Sequence, residues 1–197
     1  AMSYAIVWLN GHLVGGWPYG YNSFRLDLTP YINPGGDNQL AIRIDNPANS
    51  ARWYPGAGIY RNVWLVKTDP VHVAQWGTFI TTPDVSIESA TINLEITIDN
   101  DSEKDAVVEV NTEVYSLGPE SKRVGEPAIV FPPLYTTINA RGSSTVNGSV
   151  ILQNPRLWGP LPVENPELYE AVTKVVKDGE TTDTYVTQFG IRSVTFD

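Results

Sequence analysis

Enzymes work through nucleophiles, acid–base pairs or metal-ligand sets, and this sequence offers few of these. Cysteine is absent, which excludes thiol nucleophiles, thiolate metal sites and disulfides. The only histidines are His12 and His72, too few for a multi-histidine metal centre. There is no G-x-S-x-G elbow, no P-loop, no H-E-x-x-H and no G-x-G-x-x-G. His12 follows an Asn-Gly turn and reads as a solvent-facing strand residue. His72 reads as a surface residue at the start of a domain. Carboxylates crowd at Asp99, Asp101, Glu103 and Asp105, but the glycine and closing glutamate of a calcium loop do not follow. A solvated turn is the reading there. Asn100-Asp101-Ser102 and Asn147-Gly148-Ser149 match the N-glycosylation pattern, and both read as turns. No residue is therefore assigned as catalytic or as a metal ligand, and no cofactor is implied.

Aromatic residues are more suggestive. Trp17, Tyr19, Tyr21, Trp53 and Tyr54 sit in stretches rich in Pro, Gly, Asn and Ser, which read as loops. The bulky rings beside Gly16 and Gly20 would block a phosphate cradle. Flat rings in loops stack on sugar faces or line pockets. The same rings could instead plug the open end of a sandwich, and both readings stand at this point.

The elements that must position these rings are strands. The 197 residues are 42% hydrophobic and 18% charged, enough apolar material for one large domain or two small ones. Apolar runs of four to eight residues recur at 4–9, 40–44, 63–66, 92–98, 107–115, 146–152 and 168–176. Ile92, Leu94, Ile96 and Ile98 alternate onto one face, as do Val108, Val110, Thr112 and Val114. Asn10-Gly11 is the strongest hairpin signal, and Asp178-Gly179 marks another turn. Residues 118–133, with Pro119, Pro127, Pro132 and Pro133, read as a long inter-strand loop. The pattern is all-β. A formal charge of -9 opposes phosphate backbones, so no nucleic acid partner is expected. No run approaches about 18 apolar residues, so no membrane-spanning helix is expected.

The composition shifts near Pro70. Residues 1–70 hold five cations and four anions, while 71–197 hold 8 and 18. Two domains are expected, 1–69 and 70–197. The second suits one seven-stranded sandwich of about 100 residues plus insertions, centred on Trp158, Leu168 and Tyr169. The first suits about five strands and is marginal at that size, burying only about 60% of its unfolded surface. Its strand at 4–9 is apolar on both faces and reads as part of an unfinished sheet with a free edge.

Several motifs carry a resemblance. Val7-Trp8-Leu9-Asn10-Gly11-His12-Leu13-Val14-Gly15 resembles a strand-turn-strand of family 2 glycoside hydrolases, the β-galactosidase and β-glucuronidase group. Phe24-Arg25-Leu26-Asp27 and the stretch 34–46 resemble the next part of that family's first domain. Arg52-Trp53-Tyr54-Pro55-Gly56 and Gly58-Ile59-Tyr60-Arg61-Asn62-Val63-Trp64-Leu65 are similar to its most specific elements. Asn154-Pro155-Arg156-Leu157-Trp158 and Pro166-Glu167-Leu168-Tyr169 resemble a signature of its second domain, and Phe189-Gly190-Ile191-Arg192 is similar to the strand that leads into its third.

The resemblance implies a partial jelly-roll, galactose-binding-like sandwich followed by an immunoglobulin-like sandwich. It also implies a (β/α)8 barrel beyond Asp197 as partner, and first-domain strands ahead of Tyr4. In the family the barrel supplies two glutamates for a retaining mechanism, which needs carboxyls about 5–5.5 Å apart. No residue here is assigned to that pair. The implied activity is hydrolysis of O-glycosyl bonds, with carbohydrate as partner through the parent enzyme. Substrate-binding candidates are Arg52, Trp53, Tyr54, Trp17 and Tyr21. Arg52 could offer its donors to sugar hydroxyls or pair with a barrel carboxylate. A stand-alone carbohydrate-binding module and a structural two-domain β protein are the alternatives. A homodimer through the half-domain is a further expectation.

Overall fold

The computed structural model describes residues 1–48, 56–162 and 165–194. The chain divides into two compact units, Ala1–Val66 and Lys67–Asp197, against the 69/70 boundary read from composition.

In the first unit a three-stranded antiparallel sheet has the order β2-β1-β3, with β1 Ala5–Leu9, β2 His12–Trp17 and β3 Leu40–Arg43. Asn10 and Gly11 both take positive φ, 52° and 81°, in the manner of a type I′ hairpin. Asn10 also ties this turn to a distant loop. Its amide donates to the Tyr31 carbonyl at 2.8 Å and to Asn38 Oδ1 at 2.9 Å, and its oxygen accepts from the Gln39 N–H. Ala5, Val7 and Leu9 are buried. The expected free edge on residues 4–9 is not found: β1 is the central strand, paired on both sides, and among the described residues the open edges belong to β2 and β3. The sheet has three strands among the described residues, not five. The apolar run 63–66 forms no strand. Trp64 and Leu65 are each 78% exposed. Strand propensity expresses fit to a half-buried pleated surface, and no neighbouring strand in this unit supplies one.

The second unit is an immunoglobulin-like sandwich of antiparallel sheets. Its strands are β4 Val71–Thr81, β5 Ser89–Asn100, β6 Ala106–Leu117, β7 Arg123–Val130, β8 Leu134–Ile138, β9 Gly142–Gln153, β10 Tyr169–Lys177 and β11 Glu180–Phe189. One sheet runs β4-β5-β9 and the other β11-β10-β6-β7, with β8 also pairing to β6. The two alternating runs face the core as their period requires: Ile92, Leu94, Ile96 and Ile98 from β5, and Val108, Val110, Thr112 and Val114 from β6. Thr112 meets Thr173 on the adjacent strand β10 of the same sheet, hydroxyl to hydroxyl at 3.0 Å, so neither buried oxygen lacks a partner. The Asp178-Gly179 turn joins β10 to β11, again with positive φ at both residues.

The expected loop at 118–133 contains β7. Pro127 does not break it, because β7 pairs only with β6 among the described strands and its register shifts around Pro127, where no ladder N–H is required. Then Phe131 turns inward and is buried, and β8 takes over the same edge of β6 further along.

A second irregularity sits in β4. Val73 pairs with Ile98 and Thr78 with Ile96, so five steps along β4 match two along β5. The three extra residues are an odd number, so they reverse the alternation of faces. Beyond them Thr78 and Ile80 point in, and Phe79 and Thr81 point out. Gly77 makes the bulge feasible: a Cβ there would lie 2.7 Å from the Ala74 and Thr97 carbonyl oxygens. Finally, β4 lies beside β11. Val73 N–H donates to Asp183, Thr78 meets Thr187, and Thr82 donates to the Arg192 carbonyl, with near-constant offsets of 110, 109 and 110 residues. The two strands therefore run in the same direction.

Candidate functional site

In the first unit the aromatic candidates form two groups. Trp17 is the last residue of β2, not a loop residue, and its ring stacks on Phe24 at 6.4 Å between centroids. Tyr21 is exposed in a loop, where its ring meets Tyr19 edge-on at 5.5 Å. Tyr21 also lines a cavity of about 210 Å3 with Met2, Gly56, Ala57, Gly58 and Tyr60. The Tyr60 hydroxyl donates to the Gly20 carbonyl at 2.6 Å and Arg61 donates to the Tyr21 carbonyl at 3.0 Å, which fixes the loop against the 58–61 segment. Arg61 lies over the Tyr60 ring at 5.2 Å, a cation–π contact. Arg52, Trp53 and Tyr54 lie outside the described residues. No ring contact joins Trp17 to Tyr21 among the described residues. Nearby, the Thr29 hydroxyl and backbone N–H hold the Asp27 carboxyl below its ordinary value.

In the second unit the three motifs come together at one end of the sandwich. Tyr169, buried at the start of β10, accepts the Arg156 backbone N–H through its hydroxyl at 2.7 Å and stacks on Phe189. Arg156 forms an ion pair with Glu167 and donates to the Leu117 carbonyl at 3.3 Å. Trp158 N–H donates to the Ile191 carbonyl, Arg192 covers the indole ring at 4.8 Å, and Gly190 lies against it. A Cβ at Gly190 would come 2.9 Å from Trp158 Cβ and Cγ, so only glycine fits. Tyr169 is in the core as expected. Trp158 and Leu168 are half-buried at the rim, because their segment caps the sandwich end instead of entering it. The motifs thus have a structural function in common: they pack together over one end of the sandwich.

Charges group on the outer face of the β6-β7-β10 layer. Arg123 donates twice to Glu170, at 3.1 and 3.3 Å, and lies over the Tyr115 ring at 5.1 Å. That carboxylate raises the Arg123 guanidinium above its ordinary value. The Tyr115 hydroxyl donates to Glu113, which raises the phenol. Elsewhere Arg141 holds the Glu103 carboxyl low. His72 is not on the surface: it is only 8% exposed, and its Nδ1 has no partner among the described residues. Both sequons are accounted for differently. Asn100 is buried as the last residue of β5, where its amide donates to the Lys104, Ile138 and Asn139 carbonyls. Asn147 lies within β9, not in a turn. No group of three metal-ligating side chains occurs among the described residues. Sequence reading missed one feature altogether, a groove on the outer face of β4-β5-β9, because the bulge that builds it leaves no periodic signal.

Comparison with known proteins bears on both units. The model of glycosyl hydrolases family 2 matches residues 71–192. A β-galactosidase of Bacteroides ovatus is 38% identical over 198 residues, spanning 97% of this chain and 21% of that protein. A β-glucuronidase of Formosa agariphila is 27% identical over 98% of this chain and 21% of that protein. The crystal structure of a family 2 glycosyl hydrolase from Bacteroides cellulosilyticus superimposes with a TM-score of 0.88 at 29% identity, covering 99% of this chain and 26% of that one. The chain thus spans about a fifth of the length of these curated relatives. The motif cluster at the sandwich end lies within the matched span, and the first unit is covered by both relatives and by the solved structure. On that combined ground the chain belongs to glycosyl hydrolases family 2.

Proposed function

We propose that this chain is the non-catalytic leading part of a β-galactosidase-like glycosidase, which hydrolyses O-glycosyl bonds with two glutamates of a downstream barrel. The observation that carries this reading is the 38% identity to a β-galactosidase across 97% of the chain, within 21% of that relative's length. Residues 1–69 are the second half of a galactose-binding-like jelly roll, and 70–197 are the immunoglobulin-like spacer that connects it to the barrel. In the parent enzyme the Arg52-Trp53-Tyr54 loop, with Trp17 and Tyr21, walls the sugar pocket. The exposed Tyr21 ring beside a cavity supports this role, since rings next to concave surfaces are where sugars stack. The test is hydrolysis of nitrophenyl-β-galactoside by the 197-residue chain and by the longer parent protein. Turnover by the parent and none by the chain is expected. Turnover by the chain, abolished by a point substitution within it, would sink the reading. A second reading, a carbohydrate-binding module without hydrolysis, rests on the same exposed rings. It predicts sugar binding by the chain together with no hydrolysis by the parent.

A further inference from the structure

We propose that the outer face of the β4-β5-β9 sheet is a separate sugar-contact site, built on Phe79 and taking a neutral saccharide of one or two rings. The choice of a sugar rests on the glycosidase reading above, while the site rests on the sheet register. Phe79 pairs with Glu95 and Glu95 with Asn147, so these three side chains form one outward row. Thr81, Asn93 and Ser149 form the next row by the same logic. Their neighbours Leu94 and Ile96 are fully inward. The two rows line a groove of about 460 Å3. That volume lies within the range of roughly 300–1,000 Å3 usual for small-ligand sites.

The chemistry of the groove is specific. Phe79 is 63% exposed, an apolar platform beside the polar side chains of Thr81, Asn93, Glu95, Asn147 and Ser149. Ser149 donates to Asn93 Oδ1 at 2.7 Å, which leaves the Asn93 NH2 free to donate outward. The Glu95 carboxylate, the Asn147 amide and the Thr81 hydroxyl have no hydrogen-bond partner among the described residues. One ring face flanked by mixed donors and acceptors matches a pyranose, which has an apolar face and a rim of hydroxyls. Glu95 disfavours an anionic ligand, and the 8 cations against 18 anions in residues 71–197 act in the same direction. A single carboxylate is a poor cage for a cation. None of these residues belongs to the motif cluster or to the aromatic group of the first unit.

The experiment is a titration of the 15N-labelled 197-residue protein with lactose, cellobiose and mannobiose, each to tens of millimolar. At least one sugar is expected to shift the backbone amides of residues 79–81, 93–95 and 147–149 saturably. Phe79→Ala should weaken that binding by at least about fivefold, a stacking contribution of ordinary size, and Phe79→Tyr should restore it. Phe79 is exposed, so both variants keep the fold, which the dispersion of the remaining amides verifies. Silence with all three sugars, or shifts indifferent to Phe79→Ala, overturns the proposal. Shifts confined to residues 17–21 would put the sugar on the first unit and also overturn it. Neither result touches the glycosidase reading, which the hydrolysis assay decides.

Discussion

Tyr169 illustrates how a single side chain can carry a motif. It is 2% exposed, its ring packs on Phe189, and its hydroxyl accepts the Arg156 N–H. Removing only the hydroxyl keeps the packing and strands one backbone donor. An unsatisfied donor typically costs about 1–3 kcal/mol, so Tyr169→Phe should destabilise the second unit by about 1–2 kcal/mol in urea unfolding with an unchanged m-value. No loss would mean that solvent reaches Arg156 N–H. The role of Tyr169 was legible from its place at the head of an apolar strand. That of Trp158 was not, since a large ring bounded by prolines gives the same sequence signal whether it fills a core or caps one. What decides between them is Gly190, whose bare backbone receives the indole from outside. The aromatic candidates were legible as residue types only, because sequence gives no ring partner: Trp17 lies on Phe24 and Tyr21 against Tyr19.

At the scale of elements, β5 and β6 were plain from alternation because each has one face on the core. β7 was hidden by the surrounding prolines and by Pro127 within it, which an edge position with an irregular register tolerates. The 63–66 run gave a false strand, because apolar β-branched sequence does not guarantee a partner. The bulge in β4 could not be read either, yet it decides which residues of that strand meet solvent. Gly77→Val should destabilise the unit by about 1–3 kcal/mol, the usual penalty for forcing atoms into filled space, since its Cβ would press on two carbonyl oxygens. A variant as stable as the parent in thermal melts would show that the bulge has room to relax. Deleting one of residues 74–77 is a harsher change. It would turn Phe79 inward and Ile80 outward, a mismatch of faces that no local adjustment repairs.

For the whole molecule, the two units differ in how their strand edges are covered. In the second, β8 follows β7 along one edge of β6, while β4 and β11 lie side by side at the opposite flank. In the first, β2 and β3 have open edges among the described residues, and Trp64 and Leu65 face solvent. Open edges with exposed apolar residues invite pairing with another copy. The chain is therefore expected to self-associate in sedimentation at tens of micromolar, and Trp64→Ser with Leu65→Lys should return it to monomer. A chain that stays monomeric throughout would remove the first unit as a dimer surface. The same-direction pairing of β4 and β11 has a mechanical consequence. These are the first and last strands of the second unit, so tension on its two ends slides them lengthwise past each other. The Val73–Asp183, Thr78–Thr187 and Thr82–Arg192 links then bear load together and must fail together. Under stretch, this unit should rupture in one abrupt step at high force, while the small sheet of the first unit gives way earlier.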